Sequence, residues 1–245
     1  VGIVCALAAE ARAFGPIDPS SAPLATRDDG TLLAVSGMGC MAAAAAAGAL
    51  VGAGAGALVS FGLAGGIDPA LAAGAVLLPA QILSPDGAPI ATTGSWRARL
   101  ERALVPQGLA ALVARGPLLT SPRAVASVAA KSALFRDSGA IAVDMESYAV
   151  AQVALAEGLP FLAVRVVVDG AADRLPHAVA VAVDAAGKLR LWRLAGALLR
   201  APAEVAPLLR LARRYRSANR SLAAVARALA LAPPEFRVRA ERPGT

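Results

Sequence analysis

The apolar residues of this chain fall into short runs, separated by turn residues and by longer stretches with helical spacing. Residues 1–7, 31–36, 57–61, 75–78, 117–120, 140–143 and 161–168 are apolar or β-branched runs between turn residues, which predicts strands. Residues 41–51, 96–104, 124–135 and 148–157 read as helices, and the tail adds three more at 188–199, 203–217 and 221–231. Strands alternating with helices predict an α/β protein. We expect a single three-layer α/β/α domain around a central, twisted, largely parallel but mixed sheet, followed by C-terminal helices. From Thr31 to Ile67 there is no charged residue. The run is rich in Ala and Gly, so it divides into strand, helix and strand buried in a core more naturally than it forms one membrane span.

Three of the predicted strands finish near an acid. Ala140-Ile-Ala-Val-Asp-Met-Glu146 brings Asp144 and Glu146 to a strand-to-helix corner, residues 161–168 end on Asp169, and the opening run is followed by Glu10. Open α/β sheets bind their ligands at the carboxyl edge of the strands, where such acids collect. The loop Ser36-Gly-Met-Gly-Cys-Met-Ala42 fits a G-x-G-x-x-A pattern, yet no acid occurs between Asp29 and Asp68 to hold a dinucleotide ribose. What remains is a turn in which Gly37 and Gly39 let backbone N–H groups approach an anion or a sugar. Phe61-Gly-Leu-Ala-Gly-Gly-Ile67, with Gly62 and Gly65, reads as a second glycine-rich turn at the same edge. Each acid taken singly also fits a structural role: Glu10 as an exposed first-turn residue, Glu146 at the positive end of a helix, Asp169 as a turn cap.

Composition narrows the chemistry. The chain has 245 residues, 57 % of them hydrophobic, enough for one large core. With two cysteines, Cys5 and Cys40, and a single histidine, His177, neither a disulfide framework nor a Cys/His metal site can be built, so a reducing compartment and metal-free, cofactor-free chemistry are expected. No basic segment precedes the first apolar run, so no signal peptide is expected. Residues 1–187 carry a net charge of −3, whereas residues 188–245 carry 13 Lys and Arg against 3 acids. Such a basic block fits contact with phosphates or anionic lipid, and equally a solvated helix face. Few aromatics accompany it and no base-reading motif, which argues against nucleic acid.

Over roughly residues 1–187 the sequence resembles the nucleoside phosphorylase and nucleosidase superfamily. Gly2-Ile-Val-Cys-Ala-Leu-Ala-Ala-Glu10, Ser36-Gly-Met-Gly39, Gly62-Leu-Ala-Gly-Gly66, Val143-Asp-Met-Glu146 and Arg165-Val-Val-Val-Asp169 match its motifs in order and spacing. The Asp-Met-Glu-Ser variant, the Val-Val-Asp-Gly ending and the Arg-rich tail look most like the hopanoid-associated branch, which acts on adenosylhopane. The resemblance implies cleavage of the N-glycosidic bond of an adenosyl compound with release of adenine. In it, Asp169 protonates the base, Glu146 binds the ribose hydroxyls, Met145 packs on the sugar, Glu10 activates water, and Asp144 plays a structural part. Arg165 is expected to pair with an acid. A soluble methylthioadenosine or adenosylhomocysteine nucleosidase, a phosphorolytic enzyme and a nucleoside-binding module are the alternatives.

Departures from the family pattern bear on mechanism. Ser60 stands where phosphorolytic members carry a phosphate-binding arginine, and Leu63 replaces a small hydroxyl residue, so water is the expected nucleophile. Val168 replaces the Ser or Thr common before the acid in adenosyl nucleosidases, and no base-stacking aromatic occurs in residues 120–126. The resulting expectation is a catalytic domain at 1–187, a basic helical extension at 188–231 and a disordered tail at 232–245. A cytoplasmic homo-oligomer, whose basic helices offer a seat on the inner face of a membrane, completes it.

Overall fold

The structure, a computed structural model, describes residues 1–16, 24–174, 196–197 and 199–235. His177, the 187/188 boundary, residues 236–245 of the expected tail at 232–245, and all but residues 196, 197 and 199 of the expected helix at 188–199 lie outside the described residues. Eleven strands form one sheet among the described residues: β1 (Gly2–Cys5), β2 (Leu24–Thr26), β3 (Leu32–Val35), β4 (Leu58–Gly66), β5 (Val76–Leu77), β6 (Gln81–Ser84), β7 (Gly87–Ala91), β8 (Val113–Ala114), β9 (Leu118–Thr120), β10 (Ala142–Asp144) and β11 (Phe161–Asp169). The path runs β2-β3-β1-β4-β10-β9-β6-β7, with β11 paired to β4 and β5, and β8 to β5. Most pairs are parallel, while β2/β3, β4/β10, β5/β11 and β6/β7 are antiparallel. A mixed, largely parallel sheet flanked by helices is the expected class.

Among the described residues six helices flank it: α1 (Ala8–Ala11), α2 (Cys40–Gly52), α3 (Gly94–Leu104), α4 (Val128–Ser138), α5 (Ser147–Ala156) and α6 (Val205–Ala230). In α2, Ala43, Ala47 and Leu50 are buried at one-turn spacing, and the two small alanines let the helix lie close to its neighbours α5 and β1. On the opposite face Trp96, Leu100 and Leu104 of α3 share a core with Leu222, Val225 and Leu229 of α6 and with Ile3, Val59 and Phe61 of the sheet. Each such burial contributes about 1.5–3 kcal/mol. The Trp96 indole donates to the Ala232 carbonyl at 2.7 Å, which holds the chain just beyond α6 against α3.

Three expectations change. The tail segments 203–217 and 221–231 form one helix, because Ser217-Ala-Asn-Arg-Ser221 contains no proline or glycine to end it. The segment 61–67 is not a turn: β4 runs straight through it to Gly66. One edge of β4 is paired with β11 as far as Gly65 and the other with β10 at Gly65 and Gly66, and this pairing outweighs the weak strand propensity of glycine. The hairpin β6/β7 was not expected at all, although Ser84-Pro-Asp-Gly87 carries turn chemistry that marks it.

The pairing of β4 creates the feature that matters for function. Along Leu58–Ser60 its edge is taken by β1, and at Gly65 and Gly66 the same edge is taken by β10. Between them the sheet forks. Backbone groups of β4 facing the fork need partners other than a strand.

Candidate active site

Glu10 fills that need. It sits on the single turn of α1 directly after β1, and its carboxylate accepts from the Leu63 N–H on β4 at 2.9 Å and from the Leu7 N–H at 2.9 Å. The side chain is only 4 % exposed. Gly62 is required for this approach, since a Cβ there would lie 2.5 Å from Glu10 Oε1. Burial raises the Glu10 carboxyl above its ordinary range, while the Arg165 guanidinium and the backbone donors pull it down.

Glu146 begins α5 and is 7 % exposed. Gly39 donates its N–H to Glu146 Oε1 at 2.9 Å. Gly37 and Gly39 hold φ of 82° and 96°, in the left-handed region that glycine reaches without strain, and so turn the chain from β3 into α2. Burial, then the charge of Asp144, push Glu146 up to about 7, against the pull of Arg165. Asp144 serves the frame: it accepts from Arg165 Nε at 2.8 Å, Thr120 Oγ1 at 2.7 Å and the Ser147 N–H at 3.1 Å. Arg165 also donates to Ser60 Oγ at 2.7 Å. Ser60 is thus a buried member of this network.

Asp169 ends β11. Its carboxylate meets the Nζ of Lys131 from α4, and Lys131 also donates to the Gly170 carbonyl at 2.8 Å. Burial raises the Asp169 carboxyl, and Lys131 opposes that shift. Gly65 faces it, with space for a Cβ only at 3.4 Å from Asp169 Oδ1.

Glu10, Gly65, Met145, Glu146 and Asp169 line one cavity of about 210 Å³, closed otherwise by mainly apolar side chains such as Leu7, Met38, Leu63, Val125 and Val168. Gly37, Gly39 and Gly62 do not line it; they shape the backbone that carries Met38, Glu146 and Glu10. Arg123 is the one cation among the described lining residues. The sequence reading missed Lys131. The available signal was a lone lysine on the apolar side of a predicted helix, one turn before Leu134 and Phe135.

Comparison with known proteins identifies the family. The family model described as Phosphorylase superfamily matches residues 28–201, well over half of the chain. The chain belongs to the Phosphorylase superfamily. No curated protein sequence matches it significantly. Among solved structures, the 5′-methylthioadenosine/S-adenosylhomocysteine nucleosidase from Helicobacter pylori with butyl-thio-DADMe-Immucillin-A superposes with a TM-score of 0.61 at 22 % identity, covering 70 % of this chain and 85 % of that one. The futalosine hydrolase of Helicobacter pylori strain 26695 gives a TM-score of 0.61 at 21 % identity, covering 70 % and 84 %. At this identity the shared property is the superfamily fold. Glu10 lies before the matched span, so its place in the site rests on the geometry.

Proposed function

We propose that this superfamily member hydrolyses the N-glycosidic bond of an adenosyl compound and releases adenine. The carrying observation is the set Glu10, Glu146 and Asp169 around one cavity whose described lining residues include no buried cation. Breaking the C1′–N9 bond leaves an oxocarbenium-like sugar and a purine anion, and each end of the cavity answers one of them. Asp169, raised by burial, protonates the base at N7. Glu146 accepts from the ribose hydroxyls and strengthens that interaction as the ring turns positive. Met145 packs on the sugar, and Glu10, clamped at the fork by two N–H donors, takes a proton from the attacking water. Ser60 is engaged by Arg165 inside the frame, which favours water over phosphate as nucleophile.

Within this class we favour a lipid-linked adenosyl substrate, adenosylhopane, and residence at a membrane surface. The motif resemblance supports it, as does the apolar wall of Leu7, Met38 and Leu63. So does α6: at 100° per residue Arg213, Arg216, Arg220 and Arg227 form a stripe opposite the buried Ala218, Leu222, Val225 and Leu229. No described helix is long and apolar enough to cross a membrane. A polybasic stripe contributes about 1 kcal/mol per residue near anionic lipid. The test is adenine release from adenosylhopane in anionic vesicles and from methylthioadenosine, each with and without phosphate. We expect a free ribosyl product, no phosphate dependence, and faster turnover on vesicles that declines with salt. A ribosyl 1-phosphate formed only with phosphate overturns hydrolysis, and equal turnover of both substrates overturns the lipid reading.

A further inference from the structure

Lys131 has no part in the mechanism so far, yet its position is costly. Its side chain is 0 % exposed, and placing an ammonium in a protein interior costs several kcal/mol unless it is well paired. Both of its partners lie at the end of β11, far from α4 in sequence: Asp169 Oδ2 and the Gly170 carbonyl. The loop after β11 is tied down further, because Gly170 donates its N–H to Asp173 at 2.8 Å and Asp173 pairs with Arg214 of α6. Asp169 Oδ1 has no hydrogen-bond partner among the described residues. The acid therefore has one oxygen engaged and one open.

We propose that Lys131 is the positioning residue of the acid, holding Asp169 Oδ2 so that the transferable proton rides on Oδ1 and stabilising the carboxylate that remains once the proton has left. This rests on the nucleosidase reading. In the step, the C1′–N9 electron pair goes to the purine and N7 takes the proton from Asp169 Oδ1. Asp169 is left as a carboxylate against the Lys131 ammonium. Water loses one proton to Glu10 and bonds to C1′, and solvent later returns both carboxyl groups to their starting forms. Without the ammonium, the new carboxylate would be an unpaired charge in a mostly buried site, so the acid would hold its proton too tightly.

Three charged groups face Asp169: Lys131 from α4 and Arg214 from α6 lower its carboxyl, and Asp173 from its own loop raises it, all set against the upward push of burial. Removing Lys131 leaves burial less opposed. The basic limb of the pH–rate profile, which reports loss of the proton from the acid, then moves to higher pH while the plateau falls.

The experiment uses the full chain with Lys131→Met, Lys131→Gln and Lys131→Arg. Each is assayed from pH 5 to 10 on adenosylhopane or methylthioadenosine, whichever the wild type cleaves, and on 4-nitrophenyl ribofuranoside, whose leaving group departs without a proton. Loss of an acid's function typically costs about 10²–10⁴-fold. We expect K131M and K131Q to lose about 100-fold in kcat on the adenosyl substrate, with little change in KM and an upward shift of the basic limb. On the nitrophenyl riboside they should stay within about threefold of wild type. K131R, which keeps the charge, should return the limb toward its wild-type position. K131Q retains a donor to Oδ2 and carries the test if K131M does not fold. Equal losses on both substrates with an unmoved limb make Lys131 structural and overturn the proposal. A wild type that releases no adenine but cleaves the nitrophenyl riboside overturns the base-protonation reading and this inference together.

Discussion

The two ends of the cavity solve opposite electrostatic problems with different means. At the proposed sugar end three carboxyl groups, Glu10, Asp144 and Glu146, surround one buried guanidinium, Arg165, and backbone N–H groups from Leu7, Gly39 and Leu63 bond the oxygens of Glu10 and Glu146. At the proposed base end one carboxyl group, Asp169, faces its own buried ammonium, Lys131. Acids outnumber cations at the sugar end, which suits the proposed role of meeting a centre that turns positive. The base end is balanced, which suits a group that must hold a proton and then release it. Carboxylates of similar burial are given different work by what shares their space.

The strongest way to break this contrast is Arg165→Met. It strands Asp144 in the core and removes the counter-charge of Glu10 and Glu146, and we expect a loss of about 3–5 kcal/mol in unfolding free energy. Urea denaturation measures it. A loss below about 1 kcal/mol would mean that the three acids are not balanced by this residue.

The next effect is one of pH. Glu146 is raised to about 7 in the folded chain against 4.5 for the ordinary carboxyl, so between those values the native state binds more protons than the unfolded one. Its contribution is fully present below about pH 4.5 and is lost as pH rises through about 7, a change of roughly 3 kcal/mol at one pKa unit per 1.36 kcal/mol. Glu10 and Asp169 are shifted in the same direction. Stability should fall across this window, and Glu146→Gln should flatten the fall. An unchanged slope in E146Q assigns the effect to the other two acids.

The smallest effect tests the fork itself. Gly62→Ala puts a carbon 2.5 Å from Glu10 Oε1 and must displace that carboxylate, and a misplacement of about 1 Å can cost about 100-fold in rate. We expect kcat to fall by about that factor with stability nearly unchanged, read by steady-state assay beside thermal unfolding. Normal turnover in G62A removes Glu10 from the chemistry.

Much of this site was legible along the chain because strands announce themselves locally. The apolar runs before Glu10, Asp144 and Asp169 put those acids at strand ends, and the glycines at 37 and 39 marked a turn that only they can make. Local pattern could not say which edge of a strand is paired. That depends on neighbours distant in sequence, so the glycine-rich stretch at 61–67 looked like a loop until β11 and β10 closed on it. For the same reason the fork, the clamp of Leu63 on Glu10 and the capture of Ser60 by Arg165 belong to tertiary structure alone. Lys131 is the plainest case. The sequence holds the signal of a lone lysine one turn before Leu134 and Phe135 in a predicted helix, but an ammonium on that side is stable only with a partner that the local pattern does not name. Which carboxylate would meet it was decided by the packing of α4 against the end of β11, 38 residues further along.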